Sequence, residues 1–370
     1  MINDLRTLLS GLLEQFEASE GRSPDAYWEA ALFQPMAAGK YLSAVTTLVR
    51  TGLLKAEVAG RRLRWSLPTL RQAAVPSPGG EGCSWGLGFS WRELPATEPF
   101  LITSALVTRG LCDAAAALPQ EREVVDLAEQ ALRGLDSWCT RWLAHDAQTG
   151  DAIPAYSPGI RRAIYNAAAV AWSVLLDHRP ERQREAAEGL SRLWACRMPG
   201  AGWCYEAGNG VVDLLHQAYL FGAMRSVVSA DDIEPHMLST FSQFSASTTW
   251  LDVVHVVEHQ PLGQIGHRWA RHAGAHWLVL DARPARLWSL GELLRVLSEA
   301  ATAGQSAHWL TRAGGVAADV LRRAGAPGER EMVFGRHTMH LAHGLAAYIA
   351  AKRASHQAVD AAVPGAGAGA

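Results

Sequence analysis

Six apolar helical segments alternate along the chain with six amphipathic ones, and this alternation predicts an all-α fold, an (α/α)6 toroid. Three observations carry the prediction. Ala, Leu, Arg and Glu fill segments whose apolar residues recur at intervals of three and four. The apolar segments are almost uncharged on one side and start just after Gly, Pro or aromatic loops. Helices of that kind belong in an inner ring, and helices with a single apolar face pack around it as an outer ring.

The elements follow in order. Residues 4–17 form an amphipathic outer helix, which closes the circle by packing beside the last helix. The first inner helix starts near Lys40 (YLSAVTTLVRTGL), and residues 55–70 supply the next outer helix. A competing reading exists here, because RRLRWSL alternates like a strand. Residues 1–75 would then be a separate winged-helix-like segment with a basic wing. Further inner helices start near Phe100, Ile164, Val212, Leu290 and Leu341. The outer partners are residues 121–143, 180–196, 232–244 and 306–323. Residues 247–284, rich in His and Trp, form an irregular insertion. Residues 1–356 are expected as one domain, and the Gly/Ala-rich 357–370 as a disordered tail.

Composition narrows the function. The 370 residues carry 34 Lys plus Arg against 36 Asp plus Glu, a net charge of −2, so no nucleic-acid or anionic-membrane partner is expected. The five cysteines are scattered with no CxxC pair, which fits a reducing cytoplasm and neither a disulfide framework nor a zinc knuckle. The N-terminus lacks a basic start and a continuous apolar core, so a signal peptide is not expected. No run approaches the roughly 18 apolar residues of a membrane span. Fourteen Trp is a high count, and exposed Trp clusters stack on ligands.

Three loops before inner helices carry the candidate chemistry. Residues 82–99 hold Trp85, Phe89 and Trp91 as stacking faces, with Glu98 just before Pro99 at a helix start. Residues 153–166 bring Tyr156, Arg161, Arg162, Tyr165 and Asn166 around one turn; an Arg fork suits a carboxylate. Residues 200–219 place Trp203, Tyr205 and Glu206 before Asp213, His216 and Tyr219, which recur every three residues on one broad helix face. Asp, His and Tyr within reach of each other form a proton-transfer set. All inner helices of a toroid run in the same direction, so the three loops should converge on one mouth.

Histidines raise the question of a metal. His255, His259, His267, His272 and His276 fall in the insertion, and HVVEH matches the HxxEH zinc-peptidase pattern in letters. The α/β context of that motif is missing, so these histidines read as structural hydrogen-bonding groups. The last inner helix adds Arg336, His337, His340 and His343. No metal and no cofactor is expected.

The order WGLGF-W, TEPFLITSALVTRGL, AYSPG-IYNAAAVAWSVLL and GWCY-VVDLLHQAY resembles a family of bacterial (α/α)6 proteins found with lipopolysaccharide and other surface-polysaccharide biosynthesis genes. The resemblance runs through Trp85, Trp91, Pro99, Tyr156, Pro158, Tyr165, Asn166, Trp203, Tyr205, Asp213, His216 and Tyr219. It departs at Leu214, where the family usually has Asn, and its later D-x-H-S element is not recognisable near Trp288. The resemblance implies kinship with toroids that bind, cleave, epimerise or eliminate uronic-acid sugars. GWCY and AHGL are also similar to the zinc-ligand motifs of lanthionine cyclases. That similarity implies Cys204 and His343 as ligands, but Ala342 replaces the second Cys and the spacing is too large.

The expectation is therefore a carbohydrate-active toroid that holds a glycan or uronic-acid-containing sugar, or another small polar substrate, in an aromatic-lined central cavity and acts on it by Tyr/His acid–base chemistry of the lyase, epimerase or hydrolase type. Its candidate acid–base groups are His216, Tyr219, Asp213 and Glu98. Its candidate contacts are Trp85, Trp91, Tyr156, Arg161, Tyr165, Asn166, Trp203, Tyr205 and Glu206. A zinc-dependent peptide cyclase and a non-catalytic binding toroid are the alternatives.

Overall fold

The computed structural model describes all residues except 148, 199, 207–209, 247–248, 258–268, 274–275, 281–282, 305 and 363–370. The chain enters through α1 (Ile2–Ala18) and a hairpin of β1 (Arg22–Asp25) and β2 (Trp28–Phe33). Inner helix α2 (Pro35–Arg50) leads to the outer pair α3 (Ala56–Arg64) and α4 (Ser66–Gln72). Strands β3 (Ala74–Pro76) and β4 (Cys83–Trp85) precede inner α5 (Leu101–Ala117) and outer α6 (Arg122–Arg141). Strands β5 (Leu143–His145) and β6 (Ala152–Pro154) precede inner α7 (Tyr165–His178) and outer α8 (Gln183–Ala195). Strand β7 (Val211–Asp213) runs directly into inner α9 (Leu214–Met224), followed by outer α10 (Ala230–Phe244). Strands β8 (Ser245–Ala246), β9 (Thr249–Trp250), β10 (Val253–Val257), β11 (Trp269–Ala273) and β12 (His276–Leu280) come next. Inner α11 (Leu287–Gly304), outer α12 (Ala307–Ala324) and inner α13 (Gly335–Ala362) complete the fold.

The inner ring is closed. Helix α2 packs on α5, α5 on α7, α7 on α9, α9 on α11, α11 on α13, and α13 on α2. These helices bury almost every face over their first turns; α2 is buried continuously from Pro35 to Thr46. The outer helices bury one stripe, as α6 does through Val124, Leu127, Ala128, Ala131, Leu135 and Trp138. Close approach within the ring needs glycine: a Cβ at Gly344 of α13 would overlap the carbonyl of Gly291 on α11. Helix α1 packs on α13 and α12, as the closure argument requires.

Several local expectations are corrected. RRLRWSL is helical, not a wing strand, since Ala59, Leu63, Leu67 and Leu70 bury one face of α3 and α4. The insertion is less irregular than expected: its described residues form strands, and β11, β12, β10 and β7 pair in that order as an antiparallel sheet. Runs such as VVHVV and HWLVL are rich in β-branched and aromatic residues, which favour a pleated surface. Helix α13 continues to Ala362, past the predicted tail boundary at 356. Among the described residues, no helix is long and apolar enough to cross a membrane.

The connections are asymmetric. Inner-to-outer links are short, such as residues 51–55 and 118–121, whereas outer-to-inner links are longer and all but the last, residues 325–334, carry strands. All the long links therefore gather at the N-terminal ends of the inner helices, the end where chemistry can be built.

Candidate active site

A cavity of about 230 Å³ opens at that end. Tyr27, Phe89, Trp91, Tyr156, Asn166, Tyr205, Asp213, His216, Tyr219, Arg286, Trp288 and Arg336 line it, with Met36, Leu87, Ile102, Val211 and Leu215. The start of α9 positions its centre. Asp213 is the N-cap, and its carboxylate accepts the His216 backbone N–H at 3.2 Å. The same oxygen lies 3.2 Å from His216 Nδ1, too far off the hydrogen-bonding line to pair with it, so Nδ1 is left without a partner. The Tyr205 ring meets the imidazole edge-on at 4.6 Å.

Arg286 braces this corner from the start of α11. Its guanidinium lies 2.8 Å from Asp213 Oδ2 and 2.7 Å from Asp252 Oδ2. The Trp288 ring lies 4.8 and 4.9 Å from the guanidinium groups of Arg286 and Arg336 and stacks on His337 at 4.9 Å. Arg336 in turn grips Asp25 through two 2.6 Å bonds.

Tyr219 lies deeper, at the axis, and bonds His340 Nε2. His340 Nδ1 sits 2.6 Å from the Arg336 carbonyl, which can only accept. Nδ1 therefore carries the proton, Nε2 is the acceptor, and Tyr219 donates to it. Burial holds His340 well below the ordinary histidine pKa and Tyr219 well above the ordinary phenol value, so both are neutral at pH 7. Burial also lowers His216. The cavity thus holds an uncharged imidazole and a phenol that donates its proton to a hydrogen bond with a second imidazole. Both can take and return protons.

Two further side chains of the lining carry buried polar atoms with no hydrogen-bond partner among the described residues: the acceptor Asn166 Oδ1 and the donor Trp288 Nε1. Leaving such groups unpaired costs roughly 1–3 kcal/mol each.

Of the residues singled out from sequence, the structure brings together Trp91, Tyr156, Asn166, Tyr205, Asp213, His216 and Tyr219. It places others elsewhere. Trp85 and Trp203 are fully buried, and their indole N–H groups donate to Leu70 O at 2.8 Å and Leu193 O at 2.6 Å. They pin loops to outer helices and offer no stacking face. Tyr165 is likewise buried, donating to Asp146 at 2.6 Å. Glu98 accepts the Gly159 N–H at 2.6 Å, so it fastens the 157–160 turn and does not face the cavity as an acid. Arg161 covers the Trp142 ring at 4.7 Å, and Glu206 pairs with Arg162 at 3.3 Å on the outside.

Sequence reasoning missed Tyr27, Arg286 and Trp288. It noted Arg336 and His340 only as possible metal neighbours. Among the described residues, no three His, Cys, Asp or Glu side chains are grouped to hold a metal. The side chains of His255, His272 and His276, and all of His259 and His267, lie outside the described residues.

No known family model matches the chain, and no curated protein matches it in sequence. Solved structures do match it in shape. A sugar epimerase from a ruminal bacterium superposes with a TM-score of 0.61 at 12% identity, over 94% of this chain and 98% of that one. Cellobiose 2-epimerase from Bacillus thermoamylovorans gives 0.61 at 10% identity, over 93% and 98%. An inactive variant of an α-1,6-mannanase of glycoside hydrolase family 76 from Salegentibacter, bound to α-1,6-mannotriose, gives 0.59 at 11% identity, over 93% and 99%. At these identities the likeness establishes the (α/α)6 toroid.

Proposed function

We propose that this protein is a carbohydrate-active enzyme of the epimerase type, acting on a neutral sugar by proton transfer at the carbon beside a carbonyl. The observation that carries this reading is the cavity's chemistry: aromatic walls and neutral His216 in the same lining as the Tyr219–His340 pair. His216 would remove the proton from the carbon next to the carbonyl of an open-chain sugar. The enediolate so formed would take the Tyr219 hydroxyl proton on its other face, and the proton left on His216 would return to the Tyr219 oxygen through solvent, with His340 holding that hydroxyl in place. No atom is lost or gained, and no cofactor is required by this scheme.

Hydrolysis is the less favoured reading. Glycoside hydrolysis ordinarily needs two carboxyl groups flanking the bond. Among the described lining residues Asp213 is the one carboxylate, and Arg286 and the α9 N-terminus engage it. A uronic acid is also disfavoured, because the two lining arginines are already compensated by Asp213, Asp252 and Asp25. The names of the structural neighbours, two epimerases and a mannanase, support a sugar substrate. The sequence likeness to surface-polysaccharide proteins supports placing that sugar in glycan assembly.

The test is incubation with aldoses and reducing disaccharides in D2O, followed by NMR. Deuterium should enter at the carbon next to the carbonyl together with the epimer. His216→Ala should lose this by at least about 100-fold with its circular dichroism unchanged. Sugar binding without exchange would leave a binding toroid, and release of free monosaccharide from a glycan would favour hydrolysis.

A further inference from the structure

Tyr27 and Trp28, at the tip of the β1–β2 hairpin, are 58% and 42% exposed. Exposed aromatics on a loose hairpin would be unremarkable, but this tip is clamped. Asp25 accepts the Tyr27 N–H at 3.1 Å, closing the turn. Both Asp25 oxygens take the Arg336 guanidinium at 2.6 Å, and these two residues are only 4% and 5% exposed. Ser23 Oγ accepts the Gly335 N–H at 2.9 Å, and Gln34 donates to the Ser23 carbonyl at 3.1 Å. Burying an ion pair carries a desolvation cost, and here it fixes a turn whose aromatics add little to the core. The Arg336 guanidinium lies 5.8 Å from the Tyr27 ring, and Tyr27 also lines the cavity.

The cavity's size supplies the second strand of the argument. At about 230 Å³ it falls below the ~300–1,000 Å³ of ordinary small-molecule sites. It has room for one sugar ring, so anything attached to that ring must leave through the mouth, where Tyr27 stands.

We infer that Tyr27 is an outer platform that stacks the second ring of a di- or oligosaccharide whose terminal ring occupies the cavity. This rests on the sugar reading above and names its substrate class: the reducing end of a neutral glycan, not a free monosaccharide. Tyr suits the role because it offers a rigid face and few rotamers to immobilise.

The test is calorimetric titration with glucose, cellobiose, mannose and α-1,6-mannobiose. In the unaltered protein at least one disaccharide should bind about tenfold more tightly than its monosaccharide, the scale of one aromatic stacking contact. Tyr27→Ala should abolish that gap by weakening the disaccharide more than the monosaccharide, whereas Tyr27→Phe should keep the gap. A gap that survives Tyr27→Ala, or equal weakening of both sugars, overturns the platform and leaves the proposed function standing. No binding by any of the four sugars overturns the platform together with the sugar reading.

Discussion

His216 is tuned by burial and by two neighbours that act in opposite directions. Burial pushes its pKa down, the Asp213 carboxylate pulls it back up, and the Arg286 guanidinium lowers it again. The net result lies below the ordinary 6.5, so a base role is available throughout the neutral range. The sign for activity follows: kcat/KM should be flat near pH 7 and fall only on the acid side, below 6.5, as the imidazole gains its proton. Asp213→Asn removes the one raising influence and leaves Arg286, so this acid limb should move to lower pH. The helix cap should survive the substitution, because Asn caps about as well as Asp. An acid limb that stays in place, or moves up, would show that a group other than His216 titrates. The α9 residues of this corner were legible in sequence because one helix start carries them at fixed spacing. Arg286 and Trp288 were not, since ring closure brings them from more than 70 positions along the chain; Arg286 lies 73 residues beyond Asp213. Trp85 and Trp203 were misassigned because an indole's role depends on whether a carbonyl waits for its N–H, which composition does not reveal.

Between elements, the ring is tied by charge as well as by apolar packing. Glu292 of α11 is 1% exposed and lies 2.6 Å from Lys40 of α2 and 2.6 Å from Arg295. Burial opposes its ionisation, but Arg295 and Lys40 outweigh burial and hold its pKa below the ordinary 4.5. The group therefore contributes stability that is present above about pH 4.5 and is lost as pH falls through the folded value. Glu292→Gln leaves Lys40 buried without its counter-charge and should cost about 3–5 kcal/mol by urea denaturation at pH 7. A cost under about 1 kcal/mol would mean that water already screens the pair. The helices themselves were readable, because their periodicity is local and long. The short segments were not: RRLRWSL alternates, yet Leu63, Leu67 and Leu70 also fall at helical spacing, and the outer-ring contact decides between the two periods. The β1–β2 hairpin left no clear signal, since most of β2 is exposed and carries no buried alternation.

At the scale of the whole molecule, a toroid has no free end, so its first helix bears on everything. Helix α1 buries Leu5, Leu9, Leu12, Leu13 and Phe16 against a seam that also involves α12 and α13. Phe16 packs on Tyr41 of α2 at 5.4 Å and on Trp65 at 5.6 Å, while Glu17 accepts the Tyr41 hydroxyl at 2.7 Å. These contacts join the N-terminal segment to the inner ring and to the α3–α4 pair, so we propose that residues 1–75 fold with the toroid and not apart from it. Terminal helices often fray at little cost. This one should behave as core: Phe16→Ala should cost about 3–5 kcal/mol and lower the midpoint of one cooperative transition. Circular dichroism and tryptophan fluorescence should trace the same shifted curve. An early, separate step that leaves the main transition where it was would mean that the N-terminal segment melts alone and that the ring is closed without it.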